Sequence, residues 1–193
     1  MHTRIIGLCG PAGSGKTLAA QYIEEEFGLG RMSFAEPIKR MLRDGLGLRR
    51  AQLFGAEKET PIEEFGGITP RELMRSLGDW GRMQRADLWI ALLDQAAERA
   101  AMYHGRIALS TGGPLGIVID DVRLESEAAW VRSKAGLLLH LDRQGKFADL
   151  THITESGIDH HDGDLLIRNY GIDDALRRQI IDVVGHWLGT REQ

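Results

Sequence analysis

A chain that carries Gly10-Pro11-Ala12-Gly13-Ser14-Gly15-Lys16-Thr17 directly after the apolar run Ile5-Ile6-Gly7-Leu8-Cys9 has few folds open to it. The stretch fills every fixed position of G-x-x-x-x-G-K-[ST] and lies between a candidate strand and a helical segment, Leu18 to Phe27, the setting in which the pattern cradles phosphates. Its glycines let the backbone curl until successive N–H groups point inward, and the first turn of the helix adds unpaired N–H groups and a positive dipole end. Gly10, Ala12, Gly13, Ser14, Gly15, Lys16 and Thr17 are therefore the candidate nucleotide-binding residues. Lys16 is expected to reach the β/γ oxygens of a nucleoside triphosphate and Thr17 to ligate Mg²⁺ through its hydroxyl, so ATP and Mg²⁺ are the expected cofactors.

The helix after the loop should end near Gly28, behind an apolar stripe of Ala19, Tyr22, Ile23 and Phe27. A brief extended piece, Met32 to Phe34, precedes a helix that Pro37 opens and Gly45 and Gly47 close. Residues 48 to 68 are mixed and charged, with Lys58, Glu59 and the Gly66-Gly67 pair, and read as a surface excursion. Thr69-Pro70-Arg71-Glu72 is a helix start with a capping box, and a longer helical pattern runs from about Ala86 to Met102. Ser110-Thr111-Gly112-Gly113-Pro114 reads as a turn-rich link. It leads to Gly116-Ile117-Val118-Ile119-Asp120-Asp121, a β-branched run ending in acids, as a buried parallel strand does where it opens into a site. A short helix, a second apolar run at 137 to 141, a third at 165 to 167 and a final helix from Asp173 complete an α/β pattern with a mainly parallel sheet.

Composition narrows the partners. Lys and Arg number 24 against 28 Asp and Glu, for a formal net charge of -4, so there is no global basic footprint for nucleic acid. No apolar stretch approaches the roughly 18 residues of a membrane span, and no membrane partner is expected. The lone Cys9 excludes an intramolecular disulfide and fits a reducing cytoplasm. Cys9 reads as a small buried hydrophobe.

A phosphate loop names a nucleotide but no reaction, and the next question is what receives the γ-phosphate. Between the loop and the acidic strand lie Lys39, Arg40, Arg43, Arg71, Arg75, Arg82 and Arg85, with Trp80 and Trp89. Arg71, Arg75 and Arg82 share one side of a helix if it continues through Gly78 and Gly81, and planar guanidinium forks suit a phosphate. Trp80 and Trp89 are candidates to stack on an acceptor base, with core packing equally open for Trp89.

Several pieces together resemble the bacteriophage-type deoxynucleoside monophosphate kinases, relatives of the nucleoside monophosphate kinases among P-loop proteins. They are Ser33-Phe34-Ala35-Glu36-Pro37-Ile38-Lys39, Thr69 to Met74 continuing to Leu77-Gly78-Asp79-Trp80-Gly81-Arg82, Trp89, and Asp121-Val122-Arg123-Leu124-Glu125-Ser126-Glu127. Thr151 to Ser156 and Ile167-Arg168-Asn169-Tyr170-Gly171 extend the likeness over nearly the whole chain.

The resemblance implies a three-layer P-loop kinase fold in a single domain over 1–193, with an acceptor-binding helical region at 34–104 and a small lid at 143–163. It implies transfer of the γ-phosphate of ATP to a deoxynucleoside monophosphate, with Lys39, Arg71 and Arg82 on the acceptor phosphate and Arg123 beside it. Asp121 is similar to the family's acid after the strand, while Asp120 fits the general pattern of a Mg²⁺-site acid, and the sequence leaves their roles open. Arg143 begins the lid-like segment, which otherwise holds few arginines and several histidines, His152, His160 and His161 among them. These histidines lack the cysteine pairs of a structural zinc site and read as polar lid or surface residues. A homodimer stays open. The rival readings are another small-molecule kinase, of the dephospho-coenzyme A or adenylate type, and a P-loop ATPase or switch acting on a macromolecule; neither the ATPase nor the switch needs an acceptor cluster.

Overall fold

The computed structural model describes residues 3–111, 116–143, 157–171 and 173–190. They contain five strands, β1 Arg4–Cys9, β2 Gly30–Met32, β3 Gly116–Ile119, β4 Leu137–Asp142 and β5 Leu165–Arg168. The helices are α1 Lys16–Phe27, α2 Glu36–Leu46, α3 Arg50–Phe54, α4 Pro70–Gln84, α5 Leu88–Thr111, α6 Glu125–Ser133 and α7 Asp173–Thr190. The chain divides into two compact units, Met1–Ser33 with Gln95–Gln193, and Phe34–Asp94.

In the first unit the strands form one sheet in the order β2-β3-β1-β4-β5, every pair parallel. Parallel neighbours require crossovers, and helices on both faces bury the strands from two sides, so β1 is apolar at nearly every position. The period-2 alternation assigns the faces. Ile6 and Leu8 of β1 join Val118, Leu139 and Leu141 against Ala19, Ala20 and Ile23 of α1 and Leu176, Ile180 and Val184 of α7. Gly7 points the other way, where a Cβ would lie 3.0 Å from Val131 of α6 and 2.9 Å from Leu138. Helix, sheet, helix is the three-layer α/β arrangement of P-loop kinases. No helix among the described residues is long and apolar enough to cross a membrane.

The second unit is helical around its own core of Ile38, Leu42, Leu48, Leu53, Ile62 and Trp89. Residues 48–68 are more than the surface excursion the sequence suggests. They hold α3, 3₁₀ turns at Ala56–Glu59 and Glu63–Phe65 and a bridge between Ile62 and Ile68, and Leu48, Leu53 and Ile62 are buried. Leu48 lies between helices, Leu53 in the five-residue α3 and Ile62 in an isolated bridge, a spread with no periodic pattern, which is why composition alone misplaces them. α4 does run unbroken through Gly78 and Gly81. Both glycines are buried, a Cβ at Gly81 would collide with the Trp89 indole, and Trp89 donates its N–H to the Gly78 carbonyl at 2.9 Å.

α5 passes the expected end at Met102 and takes in Ser110 and Thr111, read from sequence as part of a link. Gly105 costs helix propensity without ending the helix. The expected lid falls largely on residues 144–156, outside the described residues, as do His152 and the piece Thr151 to Ser156.

Candidate active site

The C-terminal ends of β1, β3 and β2 assemble the site of the first unit. Register pairs Gly7 with Ile119 and Ile119 with Met32, so the turn after β1, the acids after β3 and Ser33 after β2 are brought to one end of the sheet. The loop after β1 takes left-handed or otherwise positive φ at Gly10 (128°), Gly13 (73°) and Gly15 (104°), which an L side chain resists. Gly10 is also pressed against the Leu141 carbonyl. Gly15 caps α1 without a side-chain hydrogen bond, so the helix's first N–H groups are not consumed by a capping side chain. Ser14 is fully buried in this loop and its hydroxyl has no hydrogen-bond partner among the described residues. A turn of positive-φ glycines leading into a helix start without a side-chain cap, together with an unsatisfied hydroxyl, fits an anionic polyphosphate.

Lys16 curls back over the loop, its Nζ donating to Gly10 O at 2.6 Å and Pro11 O at 2.8 Å. Arg143, just past β4, donates to Gly13 O at 3.3 Å. Thr17 Oγ1 lies 3.5 Å from Asp120 Oδ2, and the same carboxylate oxygen is ion-paired with Arg31 of β2. A hydroxyl and a carboxylate so close are hard oxygen donors of the kind Mg²⁺ takes. Asp121 instead accepts from Ser33 Oγ at 2.7 Å. The sequence offered two adjacent acids; the structure gives each a different neighbour. Arg31 carries no sequence signal, because only strand order brings it to Asp120.

The piece Asp121 to Glu127 is built around its last residue. Glu127 is buried and accepts the backbone N–H groups of Arg123 at 2.7 Å and Leu124 at 3.0 Å, closing the start of α6 and fixing the backbone that carries Arg123. Burial, then the charge of Asp121, pushes the Glu127 carboxyl up to about 7, against the pull of those two N–H groups. The native protein therefore holds a proton that the unfolded chain, with a carboxyl at 4.5, has already released. This contribution is complete below about pH 4.5 and is lost as pH rises through about 7. Glu127→Gln keeps an acceptor and removes the titration, so the variant should gain about 3 kcal/mol on the native protein between pH 4.5 and 8. Urea denaturation of both across that range tests it, and a pH-independent difference would contradict it. Burial likewise drives the Cys9 thiol up to about 12, which removes it as a nucleophile.

The second unit carries the other expected residues on and around α4. Thr69 caps the helix as the sequence predicts, its Oγ1 accepting from Glu72 N at 3.2 Å while the Glu72 carboxylate accepts from Thr69 N at 2.8 Å. Arg71 pairs with Glu59, and Arg82 Nη2 donates to Asp79 at 2.5 Å. Lys39 stands 4.3 Å over the Phe54 ring. Trp80 is 48% exposed and Trp89 only 4%, so of its two sequence readings Trp89 takes core packing, with its indole locked beneath α4. Among the described residues no cluster of three His, Cys, Asp or Glu side chains is arranged to hold a metal.

Residues 68–180, more than half of the chain, match the family model described as deoxynucleotide monophosphate kinase. A protein of Acanthamoeba polyphaga mimivirus, described as "Putative deoxynucleotide monophosphate kinase", is 34% identical over 161 residues, 78% of this chain and 80% of that protein. The deoxynucleotide monophosphate kinase of Enterobacteria phage T4 is 37% identical over 63 residues, 33% of this chain and 26% of that one. Among solved structures, a gluconokinase from Sinorhizobium meliloti 1021 is similar at 14% identity with a TM-score of 0.49, covering 99% of this chain and 97% of its own.

Proposed function

The chain belongs to the deoxynucleotide monophosphate kinase family, P-loop kinases that transfer a phosphate group to a nucleotide-like substrate, and from that premise we propose its donor, its metal and its acceptor. The donor is ATP with Mg²⁺ and the acceptor a deoxynucleoside monophosphate, which leaves as the diphosphate. The observation that carries the donor half is the glycine loop with its uncapped helix start beside Thr17 and Asp120. The loop N–H groups and Lys16 bind and orient the triphosphate, which requires the Lys16 ammonium to exchange its loop carbonyls for β/γ oxygens. Thr17 and Asp120 would hold Mg²⁺, which when bound offsets negative charge on the phosphates.

For the acceptor, the family resemblance assigns Lys39, Arg71 and Arg82 of the second unit as donors to its phosphate, with Trp80 as the exposed ring for the base, and Arg123 of the first unit is assigned separately as a further phosphate donor. Trp89 supports α4. Asp121, two residues before Arg123, accepts from Ser33 and acts on the acceptor side. Arg143 adds positive charge beside the loop. Phosphate oxygens are anionic near neutral pH, so no protein nucleophile is needed; alignment and charge stabilisation carry the chemistry.

Initial rates with ATP and separate deoxynucleoside monophosphates, ribonucleotides and dephospho-coenzyme A test this reading. Saturable turnover is expected with at least one deoxynucleoside monophosphate, and preference for dephospho-coenzyme A would replace the acceptor. The two acids separate in a Mg²⁺ titration. Asp120→Asn should raise the Mg²⁺ concentration needed for half-maximal rate, and Asp121→Asn should lower acceptor kcat/KM at saturating Mg²⁺. The opposite pattern would exchange their roles.

A further inference from the structure

Asn169 lies in Ile167-Arg168-Asn169-Tyr170-Gly171, a piece the phosphoryl-transfer reading leaves without work. It follows β5 and is buried, 6% exposed. Its backbone N–H donates to Asp142 O at 2.7 Å, continuing the β4–β5 ladder by one residue. Its side chain reaches 155 residues back along the sequence, Nδ2 donating to the Ser14 carbonyl at 2.9 Å inside the phosphate loop. The amide's other end accepts the Gly171 N–H at 2.8 Å. These partners fix the amide's orientation, since a backbone N–H can only donate and a carbonyl can only accept. Gly15 completes the fit: a Cβ there would lie 2.5 Å from Asn169 Nδ2, so the amide sits directly against the loop backbone.

We propose that Asn169 is a positioning residue for the phosphate loop, holding the Ser14 carbonyl outward so that the peptide plane it shares with Gly15, and the N–H groups that follow, face the triphosphate. A peptide unit turns as a plane, so fixing its carbonyl fixes the N–H on its other side. Among the described residues the hydroxyl of Ser14 makes no hydrogen bond, and the donor on the Ser14 carbonyl comes from the end of β5, an edge strand of the sheet. Arg143 donates to the adjacent carbonyl, Gly13 O, but from a longer and more exposed position. Asn169 touches no reacting atom; it acts through the loop. The inference rests on the reading of that loop as the triphosphate cradle.

The test compares the native chain with Asn169→Leu, which keeps the shape without the donor, and Asn169→Ser, which is too short to reach Ser14. Calorimetry measures binding of ATP and of inorganic tripolyphosphate, which has no base or sugar, and steady-state kinetics give KM for donor and acceptor. Circular dichroism fixes a temperature at which each variant is folded. Affinity for both probes is expected to fall about 10-fold or more, the scale of a buried carbonyl left without its donor, with acceptor KM within about twofold of native. A folded variant that binds tripolyphosphate as the native protein does overturns the inference, whatever its melting temperature, and so does an equal rise in both KM values. Failure of the native protein to bind either probe overturns the donor reading and this inference with it. Should Asn169→Leu not fold, Asn169→Ser decides alone.

Discussion

Lys16→Ala is expected to lower kcat at least about 100-fold while the protein stays folded, the scale of losing one preorganised charge contact to a developing negative charge. The expectation follows from where Lys16 sits. It is the first residue of α1, on the loop that Gly10, Gly13 and Gly15 shape, and its ammonium already lies within hydrogen-bond distance of that loop's carbonyls. Those contacts lie near the surface, and water can replace them when the side chain is removed, so stability should change little. The measurement is kcat at saturating ATP and acceptor beside thermal unfolding of the same preparation. Near-native turnover by a folded variant would remove Lys16 from the transferring phosphoryl group.

Arg71→Ala, Arg82→Ala and Arg123→Ala should each cost acceptor kcat/KM about 10- to 150-fold, or roughly 1.5 to 3 kcal/mol of charge-assisted hydrogen bonding, with donor affinity nearly unchanged. Structural contributions are small by comparison. Arg71 pairs with Glu59 in an exposed ion pair, the kind that contributes about 0 to 1 kcal/mol, while Arg82, 21% exposed, pairs with the more exposed Asp79 one helical turn away, so its thermal unfolding is measured beside its kinetics. Arg123 is held through its backbone by Glu127, so truncating its side chain leaves that hydrogen bond in place. Calorimetry with ATP and acceptor kinetics at saturating ATP separate donor binding from acceptor use. If ATP binding falls and acceptor use does not, the arginines serve the donor and the acceptor assignment fails.

The phosphate loop, the buried strands and the start of α4 were legible in the sequence because local chemistry determines each one. A glycine that must take φ near 104°, a strand buried on two faces and a Thr-Pro-x-Glu cap all leave marks within a few residues. What was not legible depends on strand order. Asn169 and Ser14, Arg31 and Asp120, and Ser33 and Asp121 lie 155, 89 and 88 residues apart, and only the parallel sheet order joins them. Asn169 and Glu127 stood inside pieces that resembled a known family, yet a sequence cannot say that one of them points its amide at a loop and the other accepts two backbone N–H groups. Residues 48–68 were misread for another reason: their buried Leu53 sits in a five-residue helix and their buried Ile62 in an isolated bridge, and neither can show a period.

The central claim is that phosphate passes from ATP to a monophosphate acceptor and not to water. Incubating the native protein with ATP labelled in the γ-phosphate, Mg²⁺ and one deoxynucleoside monophosphate at a time, then separating the products, tests it most directly. Label is expected in the β-phosphate of the deoxynucleoside diphosphate, in amounts that follow acceptor concentration. Label released only as inorganic phosphate, at a rate indifferent to every monophosphate offered, would contradict the claim and leave an ATPase.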